Sequence, residues 1–197
     1  MRSMSKANQT RQRVIDTATR LFLERGVEAT SIADICRVSG VSNGSVFHHF
    51  GAKDAIALEV YLAARAQFWE AVIGAMERED DALDGIEACV RAQLRYQTEH
   101  PAEHAYFLAA GDSSWMRAGA ERVRAMNETY RMRAAAWALP HIQAGRLPLV
   151  QGDVFGALLF GTPYWIARTR QLGLRDTDPV AIADDLVRVL RRALAGA

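Results

Sequence analysis

Residues 30–51 carry two helix starts and two helix stops in close succession, which leaves room only for a pair of short helices joined by a tight turn. Thr30 and Ser31 each offer a hydroxyl able to cap free helix amides, and Asp34, three residues after Ser31, fits a capping-box position. Ile32, Ile35 and Cys36 make the buried stripe of the first short helix. Ser39-Gly40 stops it, because glycine enters the left-handed conformation that a sharp turn needs, and Val41 plugs the gap between the helices. Ser42 is placed to cap the next helix. There Val46, Phe47 and Phe50 recur at apolar positions, while Asn43, Gly44, Ser45, His48 and His49 form a small polar face, and Gly51 closes the helix. Two short helices with a glycine-containing turn, the second apolar inside and polar outside, describe a helix-turn-helix. Such a second helix fits a DNA major groove, where residues near its start reach base edges and free amides at the helix starts face phosphates.

The flanking sequence continues the helical pattern. A first helix is expected from about Thr10 to Glu24, with Val14, Ala18, Leu21 and Phe22 on one face and Gly26 after its end. A long fourth helix runs from near Lys53 to about Met76, followed by helices near 82–98, 101–110, 117–139, 152–171 and 179–194. No stretch alternates with period two, so the fold class is all-α. Pro101 and Pro179 suit first-turn positions.

Charge is unevenly spread. The net formal charge is +1, yet residues 1–55 hold eight basic and five acidic groups, so the positive excess lies at the N-terminal end of the chain. Met1–Gln9 is polar and lacks the apolar run of a signal peptide, and Val154–Ala167 falls short of the roughly 20 residues a membrane span needs. No membrane is expected as a partner, and the expected location is cytoplasmic. Cys36 and Cys89 read as packing residues in a reducing compartment, with a redox-sensing thiol as the sharper alternative.

The stretch Thr30-Ser-Ile-Ala-Asp-Ile-Cys-Arg-Val-Ser-Gly-Val-Ser-Asn-Gly-Ser-Val-Phe-His-His-Phe-Gly-Ala-Lys-Asp54 resembles the DNA-binding segment of TetR-family transcription regulators, and the likeness extends over residues 10–60. The resemblance implies a flexible arm over 1–9, a DNA-binding domain over 10–54 and an effector-binding and dimerisation domain over 55–197. It implies DNA contacts from Ser31, Ser42, Asn43, Gly44, Ser45, Phe47, His48, His49 and Lys53, with His49 and Lys53 on phosphates and Asn43 and Ser45 on base edges. The family commonly has Tyr where this chain has Phe47, so one hydroxyl contact to phosphate is missing. The implied function is a repressor that binds palindromic double-stranded operator DNA as a homodimer and is released by a small molecule; a regulator without an inducer is the alternative.

In the family the last two long helices pair between subunits. Here that points to Phe155, Leu158, Leu159, Trp165, Ile182, Leu186, Val189 and Leu190 as the dimer interface. Aromatic and Met residues crowd the middle of the chain, and Tyr96, His104, Phe107, Trp115, Met126, Tyr130, Trp137, Phe160 and Tyr164 are candidates for lining an apolar effector pocket, with core packing as the alternative for each. His104, Arg95, Asn127 or Thr162 would orient the ligand. Pro163 is expected to kink its helix and free a carbonyl.

A rival reading takes His100, Glu103 and His104 as a zinc-peptidase pattern. Its weakness is that His100 precedes Pro101 at the helix start, so the two rings do not align as a helical pair. An enzyme, a cofactor and a bound metal are accordingly not expected.

Overall fold

The computed structural model describes residues 6–111 and 113–195. The sequence expectation of an arm over 1–9 falls partly outside that range. Where it can be followed, the chain is helical from Lys6, four residues before the expected Thr10.

The helices are α1 (Lys6–Arg25), α2 (Ile32–Ser39), α3 (Asn43–Phe50), α4 (Lys53–Glu77), α5 (Ala82–Glu99), α6 (Pro101–Ala110), α7 (Ser114–Ala118), α8 (Ala120–Gln143), α9 (Gly152–Gly156), α10 (Thr162–Gln171) and α11 (Ala183–Leu194), with a π turn (Ala157–Gly161) between α9 and α10. Among the described residues there is no strand.

The chain divides into two compact units. The first runs to Arg65 and also takes in Ala105–Val123. Its core is the buried face of α1 (Val14, Ile15, Ala18, Leu21, Phe22) closed by Ile35 of α2, Val41 in the turn and Val46 of α3. Sequence reasoning placed the end of the DNA-binding domain at Asp54; the compact unit is defined by packing and reaches past that residue. Tyr106 donates its hydroxyl hydrogen to the Ala57 carbonyl at 3.0 Å. Its ring stacks on Trp115, which also meets Tyr61. Glu59 accepts ion pairs from Arg11 (2.8 Å) and Arg122 (2.7 Å), so the start of α4 is tied to both α1 and α8. Desolvation raises the Glu59 pKa, but the two guanidiniums outweigh it and hold the carboxyl below its usual value.

The second unit contains Ala66–His104 and the chain from Arg124 onward. The π turn, α10 and α11 all pack on α5. Arg91 pairs with Asp184 at 2.6 Å, and Arg191 pairs with Asp84 and Glu87 at 2.9 and 2.7 Å, fixing α11 along α5. Cys89 is fully buried there, and burial pushes its thiol up to about 12, which fits the packing role and leaves little reactive thiolate.

Three helix expectations need correction. The segment expected as one helix over 117–139 is the short α7 and the longer α8, separated at Gly119, where a Cβ would lie 2.4 Å from Leu58 Cδ1. The helix expected over 152–171 is broken by the π turn. Pro163 lacks the amide hydrogen owed to the Leu159 carbonyl, and the backbone widens just ahead of it. The last helix starts at Ala183 rather than 179; a turn over 179–182 precedes it, and Val180 N donates to Asp178 Oδ1 at 2.9 Å.

Candidate nucleic-acid interface

Each end of α2 and α3 is fixed by groups a few residues away. Ser31, not Thr30, is the N-cap of α2: its hydroxyl accepts from Asp34 N at 3.1 Å, and Ser31 N donates to Asp34 Oδ2 at 3.1 Å, the reciprocal bonds of a capping box. Thr30 instead donates its hydroxyl hydrogen to the Gly26 carbonyl and is buried. Asp34 is held down to about 2, first by the Ser31 hydroxyl, then by Arg37 and the Ser31 amide. Gly40 ends α2 at φ +65°, where a side chain would be strained. Ser42 caps α3 by accepting from Ser45 N at 3.3 Å.

The turn thus presents one face of α3 outward. Ser42, Asn43, Gly44, Phe47 and His48 are exposed, and Ser45 and His49 are half-buried. Apart from its chain neighbours and the backbone of its own helix, nothing lies within 4 Å of where a Gly44 Cβ would stand, so an approaching surface can come close to backbone there. Phe47 departs from its apolar-stripe reading: it is 48% exposed, because Val46 alone fills the α3 contribution to the core. Seven of the nine expected DNA-contact residues therefore lie on α3 or at its cap, and Ser31 is exposed at the start of α2.

Lys53 is placed differently. Its ammonium donates to the Val27 carbonyl at 2.8 Å, across 26 residues, so it ties the start of α4 to the loop after α1. Two residues that sequence reasoning left out support the reading head. Arg13 donates to the Ser39 carbonyl and braces the turn. Arg11 lies over the Phe50 ring at 5.4 Å while paired with Glu59. No local spacing signals either contact, since both partners are far away in sequence.

The nine effector-pocket candidates are spread over both compact units. Phe107 and Trp115 belong to the first unit, both against Tyr61. Tyr130 and Phe160 meet Trp69 in the second unit, and Tyr96 meets Phe68 and His100. Trp137 packs against His141, its ring filling the space over Gly85. Met126 and His104 are half-buried. Tyr164 is 58% exposed on α10, beside Trp165.

The dimer candidates divide as well. Leu159 and Leu190 are buried in the core of their own unit, where α5 covers them, so they are corrected to core residues. Trp165 (51% exposed) and Val189 (62%) face outward, and Phe155, Leu158, Ile182 and Leu186 are half-buried. Of the zinc-pattern residues, His100 stacks on Tyr96 at 4.3 Å and its Nδ1 is 4.0 Å from Glu103. Among the described residues, no three or more His, Cys, Asp or Glu side chains gather where they could hold a metal ion. No described helix is long and apolar enough to cross a membrane.

Residues 14–60 match the model of the family described as bacterial regulatory proteins, tetR family. The chain is 33% identical over 81 residues to the HTH-type transcriptional regulator AcrR of Shigella flexneri, a match covering 41% of this chain and only 35% of that relative. In backbone it is similar to a TetR transcriptional regulator from Chloroflexus aurantiacus (TM-score 0.74, 24% identity, 98% of this chain and 100% of that one). It is likewise similar to FadR of Bacillus subtilis, solved in complex with stearoyl-CoA (TM-score 0.73, 16% identity, 91% and 97%). The helix-turn-helix thus lies inside residues that match the tetR family of bacterial regulatory proteins, and the chain shares the fold of solved regulators of that family along nearly its whole length.

Proposed function

We propose that this protein is a ligand-responsive transcriptional repressor that binds a palindromic operator as a homodimer. The observation that carries the reading is the exposed polar face of α3, held outward by the capped turn between Gly40 and Ser42. A helix presented this way enters the major groove with its first residues on base edges. Asn43 and Ser45 take that role, His49 and Lys53 approach phosphates, and Phe47 contributes its ring.

A second copy of the chain is the natural cover for α10 and α11. Tyr164, Trp165 and Val189 leave large apolar surface in water on two helices that both pack on α5, and exposed apolar surface of this kind favours association. A two-fold pair sets its two α3 helices about one DNA turn apart, about 34–36 Å, so a small displacement takes both out of register. A ligand that prefers the displaced state shifts the population and releases the operator. The aromatic side chains of the second unit favour an apolar or aromatic effector, and the acyl chain of the molecule bound to the FadR neighbour is of that class.

Selection of bound DNA from a random pool tests the reading, with an inverted repeat expected. Trp165→Asp combined with Val189→Asp is expected to give a monomer by light scattering that no longer retains the selected DNA in a gel shift. A double variant that stays dimeric overturns the pairing through Trp165 and Val189, and recovery of single unpaired half-sites by the wild type overturns the paired mode.

A further inference from the structure

Gln93 and Gln97 are both buried on α5, at 3% and 6% exposure. Backbone accounting explains the first. Pro163 has no amide hydrogen for the Leu159 carbonyl, and Gln93 Nε2 supplies one at 3.1 Å. It does not explain the second. Gln97 Nε2 donates to the Pro163 carbonyl at 2.9 Å, an oxygen that a regular helix already serves through the amide four residues on.

That bond fixes which end of the Gln97 amide is nitrogen. The other end, Oε1, is buried with no hydrogen-bond partner among the described residues. A buried acceptor left unmatched is costly, and Leu or Met would fill the same volume without the penalty. The same unit is rich in rings: Tyr96, next to Gln97 on α5, meets Phe68 at 5.2 Å, and Phe160, next to Leu159, meets Trp69 at 5.2 Å. Small-molecule sites commonly combine aromatic side chains with one or two fixed polar atoms, and this unit holds both.

We infer that Gln97 Oε1 is the acceptor that orients the effector, and that the effector is an aromatic or apolar molecule bearing a neutral hydrogen-bond donor such as a phenolic hydroxyl or an indole-type N–H. The inference rests on the ligand-responsive reading above. A neutral donor fits because the amide oxygen carries no charge to offset the desolvation of a cation.

The test compares matched probes on the full chain by calorimetry: phenol against toluene, indole against 1-methylindole, 2-naphthol against 2-methylnaphthalene. The donor-bearing member of a pair is expected to bind about tenfold more tightly, the effect of one hydrogen bond to a buried acceptor. Gln97→Met is expected to reduce that preference to less than about twofold, whereas Gln97→Glu, which keeps an acceptor oxygen, retains it. Equal binding of both members to the wild type, or a preference that survives in Gln97→Met, overturns the assignment of Gln97 and leaves ligand responsiveness standing. Binding of no probe, with no release of selected operator in a parallel gel shift, overturns both. The wild-type comparison stands whether or not the variants fold.

Discussion

The side-chain amide of Gln93 donates to the Leu159 carbonyl at 3.1 Å and takes the place of the backbone hydrogen that Pro163 cannot provide. The π turn, the proline and the buried glutamine are therefore one device, in which α5 completes the hydrogen bonding of a helix 66 residues away.

Gln93→Leu leaves the Leu159 carbonyl buried without this donor and is expected to cost about 1–3 kcal/mol in urea denaturation. Pro163→Ala restores a backbone N–H to the same oxygen, so Gln93→Leu should cost clearly less in that background. A double-mutant cycle measures the coupling, and strictly additive losses would show that the two residues act separately.

Ser31→Ala removes both the cap of α2 and the largest cause of the low Asp34 pKa. Loss of the cap is expected to cost about 0.5–2 kcal/mol at neutral pH. A carboxyl whose folded-state value lies below its unfolded one stabilises the fold above the unfolded value and loses that contribution as pH falls through the folded one. The part due to Asp34 is thus complete above about pH 4 and vanishes toward pH 2. In Ser31→Ala the carboxyl titration, followed by NMR, should move up toward 3.8. An unmoved midpoint would assign the shift to Arg37 and the backbone amide of residue 31, which the variant keeps.

At Gly85 two opposing effects can be weighed. Alanine in a helix interior gains about 1 kcal/mol over glycine, but here the new Cβ would stand 2.2 Å from Trp137 Cζ2. The indole cannot simply swing aside, because its Nε1 donates to the Glu79 carbonyl at 3.3 Å and the ring packs on His141. Overpacking of this kind costs about 1–3 kcal/mol, so Gly85→Ala is expected to lower Tm. Trp137→Leu in the same chain should make the alanine neutral or favourable.

What could be read from the sequence was local. The Ser31–Asp34 box, the Ser42 cap and the Gly40 turn are set by residues two to four positions apart, so hydroxyls, a carboxylate and glycines in that order specify them. The π turn was not legible, because its stabilising donor, Gln93, lies on another helix. Nor was the division at Arg65, which depends on Tyr106, Trp115 and Arg122 returning to the start of α4. Apolar periodicity marked Leu190 and Val189 alike, yet only packing on α5 decides that the first is core and the second faces outward.

Phe47 and Lys53 separate recognition from support within the reading head. The Phe47 ring is 48% exposed and does not close the core, so Phe47→Tyr adds a hydroxyl at the rim of the α3 face without disturbing the fold. On selected operator DNA it is expected to tighten binding by about 0.5–1.5 kcal/mol, roughly two- to tenfold, with Tm unchanged. Lys53→Met should lower affinity across sequences and reduce the salt dependence by about one phosphate contact. Because the ammonium also holds the Val27 carbonyl at 2.8 Å, this variant should lower Tm as well. Fluorescence anisotropy at several salt concentrations, beside thermal melts, reads both variants. A Lys53→Met protein that melts early yet keeps the wild-type salt slope would make Lys53 a brace for α4 and leave the phosphate contact to His49.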